Sequence, residues 1–81
     1  MRYPVRNPLL ETAIKRVFNV RMMVVRQRQR VERLRHLRCD THSAEQILQE
    51  LESSLATFET HERELKERFT NRQTAKPPFH R

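Results

Sequence analysis

The 81-residue chain contains no glycine and no tryptophan, and only one cysteine and one tyrosine. Without glycine there is no phosphate-cradling loop and no residue suited to tight left-handed turns. A single cysteine, Cys39, excludes an intramolecular disulfide; it suits a reducing compartment and leaves open a cross-linked dimer. The four prolines, Pro4, Pro8, Pro77 and Pro78, all lie near the ends, so no strong helix breaker interrupts the middle. No apolar run approaches the roughly 20 residues of a membrane-spanning helix. The densest patch, Val17 to Val25, is broken by Asn19 and Arg21. The N-terminus carries Arg2 and Arg6 but no uninterrupted apolar segment, so no secretory signal is expected. Its Arg-rich start is like a mitochondrial presequence, but the apolar pattern continues too regularly into the second half for a discarded leader. The expectation is a soluble cytoplasmic protein with no membrane contact.

With 36% hydrophobic and 33% charged residues, the chain can bury only a thin apolar seam. The formal net charge is +7, unevenly distributed. Residues 1 to 38 carry eleven Lys or Arg against Glu11 and Glu32, whereas residues 43 to 69 carry seven Glu against Arg63, Lys66 and Arg68. A basic segment is thus followed by an acidic one.

Two heptad seams define the architecture. Leu10, Ala13, Val17, Val20, Val24, Gln27, Val31 and Leu34 recur at alternating spacings of three and four. Ala44, Leu48, Leu51, Leu55, Phe58, Glu62, Leu65 and Phe69 do the same. Residues 1 to 7 read as an extended lead-in, because Pro4 and Pro8 keep Tyr3 and Asn7 from helical angles. Asn7 then caps a first helix with Pro8 at its first position. This helix is predicted over about 8 to 38, roughly 45 Å long. A turn is expected over 39 to 43, with Cys39 or Asp40 in the left-handed conformation. A second helix is expected over about 43 to 70, capped by Ser43 with Gln46, or by Thr41. Residues 71 to 81 lose the periodicity and reach Pro77-Pro78, which predicts a flexible basic tail.

If the seams pack antiparallel about a break near residue 41, core partners add to about 82, giving layers such as Val31 with Leu51, Gln27 with Leu55, Val24 with Phe58 and Val20 with Glu62. The flanks supply an independent check. Arg21, Arg28 and Arg35 meet Glu59, Glu52 and Glu45, and each pair adds to 80. Three opposite charges in one register set that register more than they stabilise it. The opposite flank is less polar, with Leu37 facing Ile47 and Met23 facing His61.

The first helix also carries a second apolar stripe, Ile14, Phe18, Met22 and Val25, more than a quarter turn from the seam. Burying such side chains is worth about 1.5–3 kcal/mol each before ordering costs, so an isolated hairpin would leave a sticky face in water. The fold expected is all-α: an antiparallel two-helix coiled-coil hairpin dimerising into a four-helix bundle, with a heterologous partner helix as the alternative.

Catalytic and metal constellations are weak. His36, Cys39 and His42, with Asp40 alongside, surround the turn but lack a second cysteine or a paired-histidine element. His61-Glu62 begins a zinc-protease pattern, but the position for its second histidine is Leu65. Ser43, Ser53 and Ser54 have no base at suitable spacing. Glu62, in the seam, is expected to reach Arg16 or Arg21 and help fix the register. No enzyme, cofactor, metal or small-molecule substrate is expected. Lys15, Arg26, Arg30 and Arg33 lie on the solvent-facing side of the first helix, and Arg2, Arg6, Lys76 and Arg81 add charge at the ends. This stripe makes a nucleic-acid-binding accessory role the alternative to a protein-interaction module.

From about Arg26 to Leu65 the chain resembles a group of small uncharacterised alphaproteobacterial helical proteins. The resemblance rests on Gln27, Arg28, Val31 and Leu34, on Asp40 and Thr41, and on Ala44, Leu48, Phe58, Glu59, His61, Arg63 and Leu65. The group usually has a glycine just before the Asp-Thr turn, where this chain has Arg38 and Cys39. The resemblance implies a hairpin and a bacterial cytoplasmic setting, and no activity.

Overall fold

The computed structural model describes residues 7–74, with side chains through Thr70. Two α-helices make up the described chain, α1 over Pro8–His36 and α2 over His42–Thr74. At 1.5 Å per residue they are about 44 and 50 Å long.

Helix α1 starts as its sequence dictates. Asn7 is extended (φ −129°, ψ 97°), its Oδ1 accepts the Leu10 N–H at 3.2 Å, and Pro8 takes the first helical position, where it needs no donor. The helix ends two residues earlier than the periodicity suggests. Arg38 has φ 60°; its N–H donates to the Arg35 carbonyl at 3.0 Å, and the Cys39 N–H donates to the Leu34 carbonyl at 2.9 Å. This pair of bonds is a Schellman motif, which satisfies carbonyls that the helix end would otherwise orphan. The left-handed residue is therefore Arg38, not Cys39 or Asp40. The geometry assigns it to the residue that follows the Leu37 cap, whatever its side chain.

Of the two possible caps for α2, the fold uses Thr41. Its carbonyl accepts the Glu45 N–H at 2.8 Å, and Ser43 lies within the helix. The Asp40 carboxylate accepts the His42 N–H at 3.0 Å, a local turn that leads into the helix. Glu45 Oε2 then accepts from the Thr41 hydroxyl at 3.0 Å and from Arg35 Nη2 at 2.9 Å, while Arg35 Nη1 donates to Glu32 at 2.9 Å. One carboxylate thus ties the turn to both helices.

At its other end α2 continues to Thr74, four residues past the predicted stop. Loss of an apolar face ends the seam but not the backbone helix, because Arg72 and Gln73 are good helix formers and the breaker comes only at Pro77. The expected tail is thus helical over 71 to 74. Its remainder, and the lead-in before Asn7, lie outside the described residues.

The three cross-hairpin ion pairs form as the register requires. Arg21 meets Glu59 at 2.8 Å, Arg28 meets Glu52 at 3.1 Å and Arg35 meets Glu45 at 2.9 Å. They hold the helices antiparallel over about four turns. Between them runs the seam. Ala13, Val17, Val24, Val31 and Ala44 are buried, and Val20, Gln27, Leu34, Leu48, Leu51, Leu55, Phe58, Leu65 and Phe69 are half-buried. A two-helix hairpin cannot wrap its seam completely, so only small side chains are buried and the larger ones stay half-exposed. The structure shows a helical hairpin; the expected dimer and four-helix bundle go beyond a single chain.

Candidate interaction surface on the first helix

Helix α1 turns Ile14, Phe18, Met22 and Val25 outward. Their side chains remain 42%, 60%, 37% and 39% exposed. At 100° per residue the four fall within a quarter of the helix circumference, beside the seam and distinct from it. The order of the sequence explains the placement. Val17 and Val24 occupy the seam, which leaves Phe18 and Val25, one residue later, a third of a turn round.

The stripe has two unlike edges. On the edge nearer α2 stand Arg21 and Arg28, each engaged with a glutamate. On the far edge stand Lys15, Arg26 and Arg33, all exposed and without a carboxylate partner among the described residues. Arg30, further round, is exposed as well. The sequence-predicted cations therefore form an interrupted basic border along one side of the stripe. The terminal Arg2, Arg6, Lys76 and Arg81 lie outside the described residues.

A smaller apolar pair sits at the turn, where Leu37 is 65% and Ile47 is 48% exposed. Met23, on the same flank, is also exposed, so this side of the seam stays open. Periodicity placed these residues beside the core, but two helices offer no third wall to cover them.

Glu62 departs from expectation. Its carboxylate, mostly shielded in the seam, pairs with Lys66 at 3.1 Å and not with Arg16 or Arg21. Lys66 lies one turn along the same helix, a shorter reach than across the hairpin, and Glu before Lys at this spacing is the favoured order. That signal was present in the sequence as a four-residue interval.

Among the described residues no three His, Cys, Asp or Glu side chains converge to hold a metal ion. His36, Cys39 and His42 stand exposed around the turn. Among the described residues no helix is long and apolar enough to cross a membrane. No family model matches the chain, and neither the curated proteins nor the solved structures include a match.

Proposed function

We propose that this chain is a small, non-enzymatic helical-hairpin interaction module that docks a helix on Ile14, Phe18, Met22 and Val25, in the bacterial cytoplasmic setting that the resemblance implies. A second copy of the chain and a helix of another protein are the two candidate partners. The observation that carries this reading is the outward stripe itself: four large apolar side chains aligned on a helix whose seam is already occupied by α2. A contiguous apolar face of this kind, rimmed by charge, is characteristic of protein-docking sites. The test replaces Phe18 and Val25 by Glu and follows association with a second copy by sedimentation equilibrium, association with a leucine-faced helical peptide by fluorescence anisotropy, and helicity by circular dichroism. A fully helical chain that no longer associates is the expected result; association that survives both changes would remove the stripe from the interface.

A second reading rests on Lys15, Arg26, Arg30 and Arg33, all exposed and without a carboxylate partner among the described residues. In this reading the basic border tracks nucleic-acid phosphates, and affinity for duplex DNA or RNA falls steeply with salt. Neutralising the four side chains should flatten that salt dependence, and absence of binding at about 50 mM salt counts against the reading.

A further inference from the structure

We propose that the helix received by the α1 stripe belongs to another protein and carries acidic residues along one edge only, the edge that meets Lys15, Arg26 and Arg33; this rests on the stripe's being a protein-docking surface.

The stripe itself sets the length and form of its occupant. Ile14 and Val25 are eleven residues apart, so the apolar surface covers three turns, about 16 Å along the axis. Spacings of four, four and three match the apolar face of a single amphipathic helix laid alongside.

The edges then decide the charge of that helix. The two cations on the near edge, Arg21 and Arg28, already hold Glu59 and Glu52, so this edge asks nothing of a newcomer. The far edge is different in kind. Lys15 and Arg26 are separated by eleven residues and Arg26 and Arg33 by seven, close to whole numbers of turns, so the three cations stand in one row. None has a carboxylate partner among the described residues. A partner helix complementary to this row bears carboxylates at intervals of seven and eleven residues on one side of its apolar face, and neutral side chains on the other.

A second copy of this chain meets the row badly. The two-fold arrangement that fills the stripe sets Ile14 against Val25 and Phe18 against Met22. The same rotation brings Lys15 level with Arg26 of the second copy, and the symmetry makes this happen twice. A parallel self-pairing sets this row against the near edge of the second copy, where Arg21 and Arg28 already hold their glutamates and no carboxylate is offered to it. Nor does the acidic α2 of a second copy serve, because its only exposed large apolar side chain among the described residues is Ile47, and it has no stripe to offer. Like charges across a docking face select against that partner even where the apolar contact is good.

The experiment uses the full chain and two synthetic helical peptides of about 25 residues that share one leucine face. The first has glutamates along one edge at the seven- and eleven-residue intervals; the second has lysines at the same positions. Binding is read by fluorescence anisotropy at about 50 and about 200 mM salt, and the state of the chain alone by sedimentation equilibrium. The Glu peptide is expected to bind about tenfold or more tighter than the Lys peptide at low salt, with the gap narrowing as salt rises. Phe18→Glu should abolish binding of both. The triple change Lys15→Glu, Arg26→Glu and Arg33→Glu should invert the preference, and the corresponding change to Gln should erase it; all three positions are exposed, so the hairpin is retained. Equal binding of the two peptides would overturn the acidic-edge inference while leaving the docking stripe intact. So would a dimer that excludes both peptides and dissociates on Phe18→Glu, since the occupant would then be a second copy. If neither peptide binds and a 20-base-pair DNA binds through the same cations, both the inference and the docking reading fall.

Discussion

Helices α1 and α2 are close in length and carry the same heptad seam, yet they divide the apolar surface unequally. Helix α1 supplies four of the five buried side chains among the described residues, Ala13, Val17, Val24 and Val31, and also most of the exposed large apolar ones, from Leu9 to Val25. Helix α2 contributes Ala44 to the buried set and, among the described residues, exposes one large apolar side chain, Ile47. Its seam residues are larger, but they are held at half burial, and its outer face is polar. The difference teaches that the two helices are not interchangeable halves. Helix α2 is a one-sided cover, whereas α1 is amphipathic twice over, with one face committed to the fold and a second left for something else.

The sharpest way to break this comparison is to place a charge in each seam. Val24→Asp places a carboxylate at a buried seam position and should cost about 3 kcal/mol or more, enough to abolish cooperative melting followed by circular dichroism. Leu55→Asp, at a half-buried site on α2, should destabilise less; equal losses would mean that the two sides of the seam are equivalent. Next in size is the contrast between outer faces. Phe18→Glu with Val25→Glu should abolish binding of the Glu-edged peptide while leaving helicity unchanged, whereas Thr57→Glu with Thr60→Glu on α2 should leave binding as it was, both read by fluorescence anisotropy. Loss of binding from the α2 pair would place the interface on the wrong helix.

Smaller effects sharpen the junction between the helices. Arg38→Gly relieves a left-handed residue with a Cβ and should stabilise the hairpin by about 1 kcal/mol, visible as a rise of about 4–8 °C in Tm. The same change at Cys39 should bring no such gain. Smallest of all, Arg28→Glu and Glu52→Arg should each weaken the hairpin slightly and together restore it, with a coupling of about 0.5 kcal/mol in a double-mutant cycle. The small size follows from exposure: the side chains of the three cross-hairpin pairs are 40% to 62% exposed.

What could be read from the sequence was whatever reduces to counting. The seams, the second stripe and the antiparallel register are all intervals along the chain, and Arg21, Arg28 and Arg35 found their glutamates because charge and spacing agreed. Features fixed by closure in three dimensions were harder. Arg38 takes the left-handed conformation because the last carbonyls of α1, on Leu34 and Arg35, must find donors, and no residue type advertises that. Thr41 prevails over Ser43 because Glu45 can then serve the turn and Arg35 together. Glu62 occupies a seam position, which points across the hairpin, yet its partner Lys66 lies four residues along the same helix. The end of α2 was placed where its apolar pattern stops, although helix propensity carries the backbone on to Thr74. The exposure of Leu37 and Ile47 was invisible to periodicity, which identifies neighbours of a core but not whether anything covers them.

The clasp at the turn gives the hairpin a mechanical polarity. Pro8 and Thr74 lie at the pole opposite Arg38, so tension applied between them peels the helices apart layer by layer, and each layer yields before the next is loaded. The Thr41, Glu45 and Arg35 knot comes under load last. Pulled instead between Pro8 and Thr41, the load runs along α1 itself, and no layer opens until that helix unwinds. In optical tweezers, opening at a markedly lower force along the first direction than along the second is the expected signature of this zipper.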